Sequence, residues 1–457
     1  MKSILAEHPS LALQRRIEAL KFTKLHRRAR VVIGTATFFD AFDVLAIAYV
    51  IPVLIPIWHL GPRDIGLLIS ASFVGQIIGA IFFGFLAERI GRIPSAGICI
   101  AIMGAMGIGC AFAGSFQALF AFRVLQGIGM GGEVPVAATY INELCSAHKR
   151  GRFFLLYEAL FVIGLVGAAA MGTLVVPTLG WRAMFVIGAI PALLILFALR
   201  GLHESPRWLI EKGKLAKADR VIRAFEQAGM SDAAQRQNDG EYTDVDPRSV
   251  EPVRSSWREL FSARYRRRTF VVWGLWICVY FVNYGLNTWL PTVYRTVYGF
   301  SLDDSLRAGL LTNVFSVVAV ILCATFVDRL GRKVWFLLAF ACAAVPLLIL
   351  ASSHTPPAIT VLVLTTVSFA FVTTNSMMVY LYTPEIYPTR IRAVATGMAS
   401  SMLRVASAIG PIAVGFALNV YGVSAVFGLF GVVSAVGAIL SFLVVETRNK
   451  TLEEISQ

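Results

Sequence analysis

Long apolar stretches separated by short polar segments dominate the chain. Twelve of them reach the roughly 20 apolar residues that a helix needs to cross the hydrocarbon core of a bilayer. They lie at about 31–57, 65–87, 95–113, 117–140, 152–176, 182–200, 269–291, 307–327, 334–352, 357–383, 393–418 and 423–444. This pattern predicts an all-α membrane protein with twelve transmembrane helices.

One long polar segment divides the twelve stretches into two sets of six. Within residues 201–268, apolar positions such as Leu209 and Leu215 have a helical spacing that predicts short amphipathic helices. We therefore predict an N-terminal six-helix bundle over residues 1–200, a cytoplasmic linker over 201–268 and a C-terminal six-helix bundle over 269–457.

The two sets of helices repeat short sequences at a nearly constant offset. GFLAERIGR at 84–92 recurs as ATFVDRLGR at 324–332, an offset of 240. NELCSAHKRG at 142–151 recurs as PEIYPTRIRA at 384–393, an offset of 242. The repeats indicate an internal duplication, and parallel six-helix repeats are typical of one large class of transporters.

Composition and charge support the membrane prediction. The 457 residues are 57% hydrophobic and 15% charged, whereas soluble domains are about 45–50% apolar and 25% charged. With the N-terminus in the cytoplasm, 35 of the 41 Lys and Arg residues fall on the cytoplasmic side. The positive-inside rule therefore predicts a plasma or inner membrane protein with both termini cytoplasmic. It also explains the net charge of +14 without a nucleic-acid partner.

Motifs of soluble enzymes and metal sites are missing from the sequence. The six cysteines are dispersed, with no CxxC or Cys/His spacing, so neither a metal site nor a disulfide framework is indicated. There is no nucleophile–base pair and no phosphate-binding loop. We predict that the chain is not an enzyme and needs no cofactor.

Charged side chains interrupt the predicted membrane helices, and we single out Asp40, Asp43, Arg123, Glu133 and Arg404. A charge near the bilayer centre costs at least about 2.5–3.5 kcal/mol, so such residues usually face a cavity or a partner. We interpret Asp40, Asp43 and Glu133 as proton-coupling residues, the alternative being structural hydrogen bonds. Arg123 would pair with a helix 1 carboxylate or anchor helix packing.

Candidate substrate contacts lie near the middle of the C-terminal helices. Arg404 offers a planar fork of donors suited to a carboxylate, the alternative being an internal salt bridge. Amide and aromatic side chains suit a small flat ring, although aromatic residues also serve helix packing. The candidates are Asn283, Tyr284, Asn287 and Trp289 in helix 7, with Asn375, Tyr380 and Tyr382 in helix 10.

Charged residues recur at the cytoplasmic helix ends of both halves. We predict that together they form a latch that holds the outward-open state, although a single solvated pair contributes only about 0–1 kcal/mol. The candidates are Glu88, Arg89, Arg92, Glu143, Arg150 and Glu204 in the first half, and Asp328, Arg329, Arg332, Glu385, Arg392 and Glu446 in the second.

These motifs together resemble the major facilitator superfamily. GFLAERIGR and FRVLQGIGMGG (122–132) resemble the loop 2/3 and helix 4 signatures of the superfamily. ESPRWL (204–209) and ETRNKTLEEI (446–455) are similar to the sequences after helices 6 and 12 in sugar porters and organic-ion transporters. FDAFD, GGEVPVA and NYGLNTWLP resemble the metabolite:proton symporter group. With Ala41 between the aspartates, the first of these looks closest to nicotinate transporters of the NiaP type. The segment around Arg404 resembles helix 11 of organic-anion transporters.

The resemblance implies a secondary transporter that works by alternating access. We expect proton-coupled uptake of a small organic anion, with nicotinate or a related aromatic carboxylate as the substrate. A sugar or organic-cation carrier is the main alternative, and a non-transporting sensor on the same scaffold is another. The expected partners are the substrate, protons and the lipid bilayer, and the expected assembly is a monomer.

Overall fold

The fold is known from a computed structural model, and it is all-α. The structure describes residues 9–20, 22–144, 150–229, 257–353 and 356–447. Within these ranges the chain forms fifteen α-helices and one short 3-10 helix, Trp257–Phe261, and no strand.

The helices are numbered here in chain order. They are α1 (Pro9–Ala19), α2 (Lys24–Trp58), α3 (Pro62–Ile90), α4 (Arg92–Ala111), α5 (Phe116–Leu144), α6 (Arg150–Leu179), α7 (Trp181–Leu199), α8 (Pro206–Glu211), α9 (Leu215–Gln227), α10 (Arg266–Thr296), α11 (Leu302–Leu330), α12 (Arg332–Ser352), α13 (Ala358–Glu385), α14 (Thr389–Tyr421) and α15 (Val423–Ser441).

Twelve of these helices, α2–α7 and α10–α15, match the twelve predicted membrane stretches. Eleven of them are long and apolar enough to cross a membrane. The twelfth, α5, has 29 residues and is therefore about 43 Å long, but Arg123, Gln126 and Glu133 lower its hydropathy. The prediction of twelve transmembrane helices is confirmed.

The helices pack as two bundles of six. In the first, α2 packs on α6 and α7, while α5 packs between α3 and α4. In the second, α10 packs on α13, α14 and α15, while α12 packs on α13 and α15. The bundles meet where α3 contacts α14, α6 contacts α11 and α2 contacts α10. The helices α2, α10 and α14 therefore take part in the contact between the bundles, and α5 packs directly behind α3. Polar side chains on these four helices lie at or next to that contact.

The short helix α1 forms a small layer with the linker helices α8 and α9. Leu13 and Ile17 are fully buried in an apolar cluster with residues of α8 and α9. The Arg16 guanidinium donates to Asp219 at 2.6 Å and to Glu226 at 2.9 and 2.7 Å. The sequence pattern does not predict α1, because so short a helix depends on these tertiary contacts.

Candidate functional site

The two aspartates of α2 lie inside the first bundle. Asp40 is 3% exposed and Asp43 is fully buried. Asp40 lies about 24 Å along α2 from Lys24, close to the middle of the helix. Asp43 faces Gly188 of α7, where an added Cβ would collide with the Asp43 carboxylate. The sequence therefore leaves space on α7 for a buried carboxyl group.

Glu133 joins this acidic group from α5. Its side chain is 1% exposed, and its Oε1 lies 2.9 Å from the Thr37 hydroxyl, which is also 2.9 Å from the Tyr157 hydroxyl. Thr37 precedes Asp40 by three residues and so lies one turn away on a neighbouring face. Electrostatic interactions link Asp40 to both Glu133 and Asp43. The structure thus brings the three predicted carboxylates together, with Thr37 and Tyr157 as unpredicted partners.

Arg123 is fully buried on α5 and connects three helices. Its Nη1 donates to the Asp43 carbonyl oxygen at 3.1 Å and to Gln126 Oε1 at 2.8 Å. Its Nη2 donates to Ser72 Oγ on α3 at 3.0 Å. Within the described residues it makes no carboxylate ion pair. In this structure Arg123 therefore contacts the backbone of α2 and not a carboxylate.

Arg404 lies on α14 at the contact between the bundles. It is 9% exposed, and its Nη2 donates to the Gly131 carbonyl oxygen of α5 at 3.4 Å. Among the described residues, its Nε has no hydrogen-bond partner and no carboxylate forms an ion pair with it. Tyr380, Asp40 and Tyr284 are its electrostatic neighbours. This guanidinium is a buried cation with unused donors.

An aromatic column runs along α10 next to this cation. Trp276, Tyr280 and Tyr284 recur every fourth residue and stack with ring centroids 5.6 and 5.7 Å apart. The Tyr380 ring meets Trp276 edge-on at 4.6 Å, and Phe73 of the first bundle meets Tyr284 at 5.1 Å. Trp276 and Tyr280 are not among the predicted contacts, although the i, i+4 spacing in WICVYFVNY indicates that they share a face.

Buried amides form a second polar group in the C-terminal bundle. Asn283 donates to Thr373 Oγ1 at 3.0 Å, and Asn313 of α11 donates to Asn287 Oδ1 at 3.0 Å. Asn375 is fully buried, and neither of its amide atoms has a hydrogen-bond partner in the described part of the chain. Asn313 is absent from the predicted contacts. It has the same signal as the three predicted asparagines, an amide side chain inside an apolar helix.

The two remaining predicted contacts lie in different surroundings. Trp289 is 1% exposed, and its Nε1 has no hydrogen-bond partner within the ranges that the structure describes. The Tyr382 hydroxyl accepts from the Val445 N–H at 3.0 Å, and its ring packs edge-on against Phe336 at 5.6 Å. Tyr382 precedes the last residue of α13 by three residues, which is about one turn. It therefore lies away from the middle of the membrane.

Two carboxylates bind Arg92 at the end of the first bundle that faces the linker, called the linker end below. The guanidinium donates to Glu143 at 3.2 and 2.8 Å. Glu204 accepts from the backbone N–H groups of Arg92 at 3.0 Å and Ile93 at 3.2 Å, as expected for an anion at a helix N-terminus. Gly91 has φ of 110°, which few other residues adopt. Burial raises the pKa of the Glu204 carboxyl, and these N–H groups oppose that shift.

The second bundle contains the same arrangement. Arg332 donates to Glu385 at 3.3 and 3.2 Å, and Glu446 accepts from the backbone N–H groups of Arg332 at 2.9 Å and Lys333 at 3.0 Å. Gly331 has φ of 90°. The two arrangements differ by 240 or 242 residues, the offsets of the sequence repeat. Each joins residues of one bundle.

Other gate candidates have separate partners. Glu88 pairs with Arg92 at 2.9 Å but is 54% exposed, so this pair contributes little. The Arg89 guanidinium lies over the Phe85 ring at 4.1 Å. These two residues therefore add surface contacts to the buried arrangement around Arg92.

The corresponding residues of the second bundle are less closely packed. The Arg392 side chain donates to the Tyr387 carbonyl oxygen at 3.2 Å, and Arg329 is exposed. The side chains of Arg150 and Asp328, both predicted for the gate, lie outside the described part of the structure.

The bundles are in close contact at the end opposite the linker, called the far end below. A Cβ added to Gly66 of α3 would lie 2.6 Å from the Pro411 carbonyl oxygen of α14. A Cβ added to Gly415 of α14 would lie 2.5 Å from the Pro62 carbonyl oxygen of α3. The two backbones therefore touch through glycine, which closes this side.

The same two helices separate toward the linker end. Gly84 follows Gly66 by 18 residues, and Gly397 precedes Gly415 by 18 residues, so each pair shares a helix face five turns apart. A Cβ at Gly84 or at Gly397 would meet none of the described atoms within 4 Å. The contact between α3 and α14 is closed at the far end and open at the linker end.

Comparisons with known proteins identify the family. The family model for "Sugar (and other) transporter" matches residues 61–457. The niacin transporter NiaP of Acinetobacter baylyi is 33% identical over 447 residues, covering 96% of this chain and 98% of that protein. The organic cation/carnitine transporter 7 of Arabidopsis thaliana is 27% identical over 465 residues, covering 92% of this chain and 91% of that protein.

The fold also matches a solved transporter structure. The xylose transporter XylE of E. coli, in a partially occluded inward open conformation, superposes with a TM-score of 0.74 at 21% identity, covering 94% of this chain and 100% of that chain. Two six-helix bundles, the repeated motifs at their linker ends and the family match all agree. The chain belongs to the sugar (and other) transporter family of the major facilitator superfamily.

Proposed function

We propose that the protein is a proton-coupled importer of a small aromatic carboxylate, with nicotinate as the substrate. The observation that carries this proposal is Arg404, a buried guanidinium between the bundles without a carboxylate ion pair among the described residues. A buried cation is costly unless an anion compensates it. A substrate carboxylate supplies that anion, and the planar guanidinium can bind both of its oxygens.

The aromatic residues beside Arg404 favour a flat ring. Tyr284 and Tyr380 are both electrostatic neighbours of Arg404. Tyr284 belongs to the aromatic column on α10, and Tyr380 contacts that column at Trp276. Stacked and edge-on aromatic contacts stabilise ring systems in such positions. The similarity to a protein named as a niacin transporter supports a pyridine carboxylate as the occupant.

The acidic group on α2 and α5 is proposed to carry the proton. Asp40 interacts electrostatically with both Glu133 and Arg404, so its protonation changes the field at the substrate carboxylate. The substrate anion and the proton together would add no net charge to the buried site. The transporter could then change between its outward-open and inward-open states without a change in buried charge. With the linker end assigned to the cytoplasm, the structure corresponds to an inward-facing state, in a plasma or inner membrane.

Uptake of labelled nicotinate into proteoliposomes tests the substrate assignment. An inward proton gradient should accelerate saturable uptake, and unlabelled aromatic carboxylates should compete. Empty liposomes in the same gradient measure the diffusion of neutral nicotinic acid, which is subtracted. The absence of saturable uptake at acidic external pH would exclude nicotinate as the substrate.

Substitution of the acidic residues tests the coupling assignment. We expect Asp40→Asn and Glu133→Gln to abolish accumulation driven by a proton gradient while they retain nicotinate counterflow, because exchange of bound substrate needs no net proton movement. Asp303→Asn, an exposed carboxylate in the first turn of α11, is the matched control and should accumulate normally. Gradient-driven accumulation by both site variants would refute this coupling.

A neutral sugar is the second candidate substrate. Among the described residues, neither amide atom of Asn375 nor the Asn287 Nδ2 has a hydrogen-bond partner. Such amides suit hydroxyl groups. The XylE likeness shows the fold alone and adds no weight to a particular ligand. Competition of labelled nicotinate by sugars, aromatic carboxylates and quaternary amines in one panel distinguishes the candidates.

A further inference from the structure

An open groove of about 490 Å³ lies between α10 and α15 at the linker end, outside the contact between the bundles. It is lined by Arg266, Arg267, Phe270, Val271, Leu440 and Leu443. Because α10 and α15 both belong to the C-terminal bundle, the groove is separate from the transport site and faces the surroundings of the protein.

The charge of the groove is entirely positive. Arg266 and Arg267 are the first residues of α10 and both are exposed. No acidic side chain lines the groove, and neither arginine forms an ion pair within the described part of the chain. Two adjacent guanidinium groups therefore have no anionic partner among the described residues at the level where α10 enters the membrane.

The rest of the lining is apolar and lies deeper in the membrane. Phe270 follows Arg266 by four residues, and Val271 follows Arg267 by four, so each lies one turn, about 5 to 6 Å, further along the same face. Phe270 is 57% exposed and Leu443 is 43% exposed. The groove thus combines a cationic mouth with apolar walls that continue into the hydrocarbon layer.

We propose that this groove binds an anionic phospholipid of the leaflet on the linker side. The headgroup phosphate would contact Arg266 and Arg267, and an acyl chain would lie between Phe270 and Leu443. Guanidinium groups bind phosphate with two parallel hydrogen bonds, and basic pockets between transmembrane helices bind anionic headgroups. A bilayer supplies this amphipathic ligand at the depth that the lining requires.

The bound lipid would stabilise the packing of α10 against α15. A Cβ added to Gly274 of α10 would lie 2.7 Å from Leu440 Cδ1, so the two helices touch about two turns below the arginines. Since α10 carries Trp276 and Tyr280 of the aromatic column, a lipid that fixes the start of this helix also supports the substrate site.

Native mass spectrometry of the full-length protein in detergent tests the proposal. The protein is titrated with phosphatidylglycerol and, separately, with phosphatidylcholine of the same acyl chains. The wild type should retain phosphatidylglycerol in preference. Arg266→Gln/Arg267→Gln should weaken this retention about 30-fold, because each basic residue at an anionic surface contributes about fivefold. Arg266→Lys/Arg267→Lys should recover part of it.

The matched control removes equal charge at the linker end of the other bundle. Lys24→Gln/Arg27→Gln should retain phosphatidylglycerol like the wild type, because these exposed side chains of α2 do not line this groove. An equal loss in this control would show a general surface effect and overturn the proposal, as would equal retention of both lipids by the wild type. Melting curves verify that each variant is folded.

A segment of the chain itself is the competing occupant. Glu453 and Glu454 follow Leu443 by only ten and eleven residues. If Glu453→Gln/Glu454→Gln gained lipid retention that the wild type lacks, the C-terminal segment would be the occupant, and the lipid proposal would be wrong. A photoreactive acyl chain on phosphatidylglycerol gives an independent result, and its adducts should map to α10 and the end of α15.

Discussion

Replacement of Arg404 by lysine and by glutamine separates the charge of the guanidinium from its planar geometry. Lysine keeps the positive charge but loses the fork of parallel donors. Glutamine removes the charge and keeps a single amide donor group. Because the Arg404 side chain makes only one hydrogen bond with the described residues, at 3.4 Å to Gly131, either change should leave the fold intact.

The expected magnitude follows from the hydrogen bonds that the substrate would lose. A hydrogen bond to a charged group contributes about 1.5–3 kcal/mol, which corresponds to about a 10- to 150-fold change in affinity. We expect Arg404→Gln to raise KM for nicotinate within this range. Arg404→Lys should raise it about 10-fold, because one charged contact replaces two parallel ones.

Initial rates of labelled nicotinate uptake under a fixed inward proton gradient measure this effect. Competition by nicotinamide, which has no carboxylate, provides an internal comparison. The wild type should prefer nicotinate over nicotinamide, and Arg404→Gln should lose that preference. Arg307→Gln, an exposed arginine on α11, removes the same charge outside the site and should change neither value.

Two outcomes would refute the role of Arg404. In the first, Arg404→Gln keeps the wild-type KM for nicotinate. In the second, it weakens nicotinate and nicotinamide equally, which indicates a structural defect in place of a lost carboxylate contact. Melting curves of the purified variants distinguish the second outcome from simple unfolding.

Three further predictions concern packing, the linker layer and the amide group. Gly66→Ala should lower the melting temperature, with a cost of about 1–3 kcal/mol, since its Cβ meets a carbonyl oxygen of α14 at 2.6 Å. Gly84→Ala, in open space on the same face, should leave it unchanged, and equal effects would contradict the separation of the two helices. Arg16→Gln should accelerate amide hydrogen exchange in α1 at least 10-fold, because it removes contacts with two carboxylates of α9. Arg220→Gln, exposed on α9, should not, and slow exchange in both variants would contradict the role of Arg16 in holding α1. Asn313→Ala should raise KM for nicotinate about 5-fold, as expected for one lost hydrogen bond, and an unchanged KM would exclude this amide from the site.

Hydropathy predicts the number of membrane helices but not their full length. The first stretch, predicted as 31–57, extends over Lys24–Trp58, because α2 continues as a polar helix beyond the hydrocarbon layer. The apolar side of α1 consists of a few residues such as Leu13 and Ile17. Such a helix is stable only against α8 and α9, so its own pattern carries a weak signal.

The charged site residues are predictable because a charge inside an apolar helix is rare and costly. Their partners are less predictable, because contacts between helices depend on how each helix is rotated about its axis. A single helix pattern does not determine that rotation. The partners known only from the structure are Thr37 and Tyr157 beside Glu133, Trp276 and Tyr280 in the aromatic column, and Asn313 beside Asn287.

Proton movement induced by nicotinate gives the most direct test of coupled transport by this site. Proteoliposomes that enclose a pH-sensitive dye are mixed with nicotinate at equal internal and external pH, with empty liposomes as the background. Coupled import predicts a saturable internal acidification that Asp40→Asn and Glu133→Gln abolish. Saturable nicotinate uptake without any such acidification above the background would contradict it.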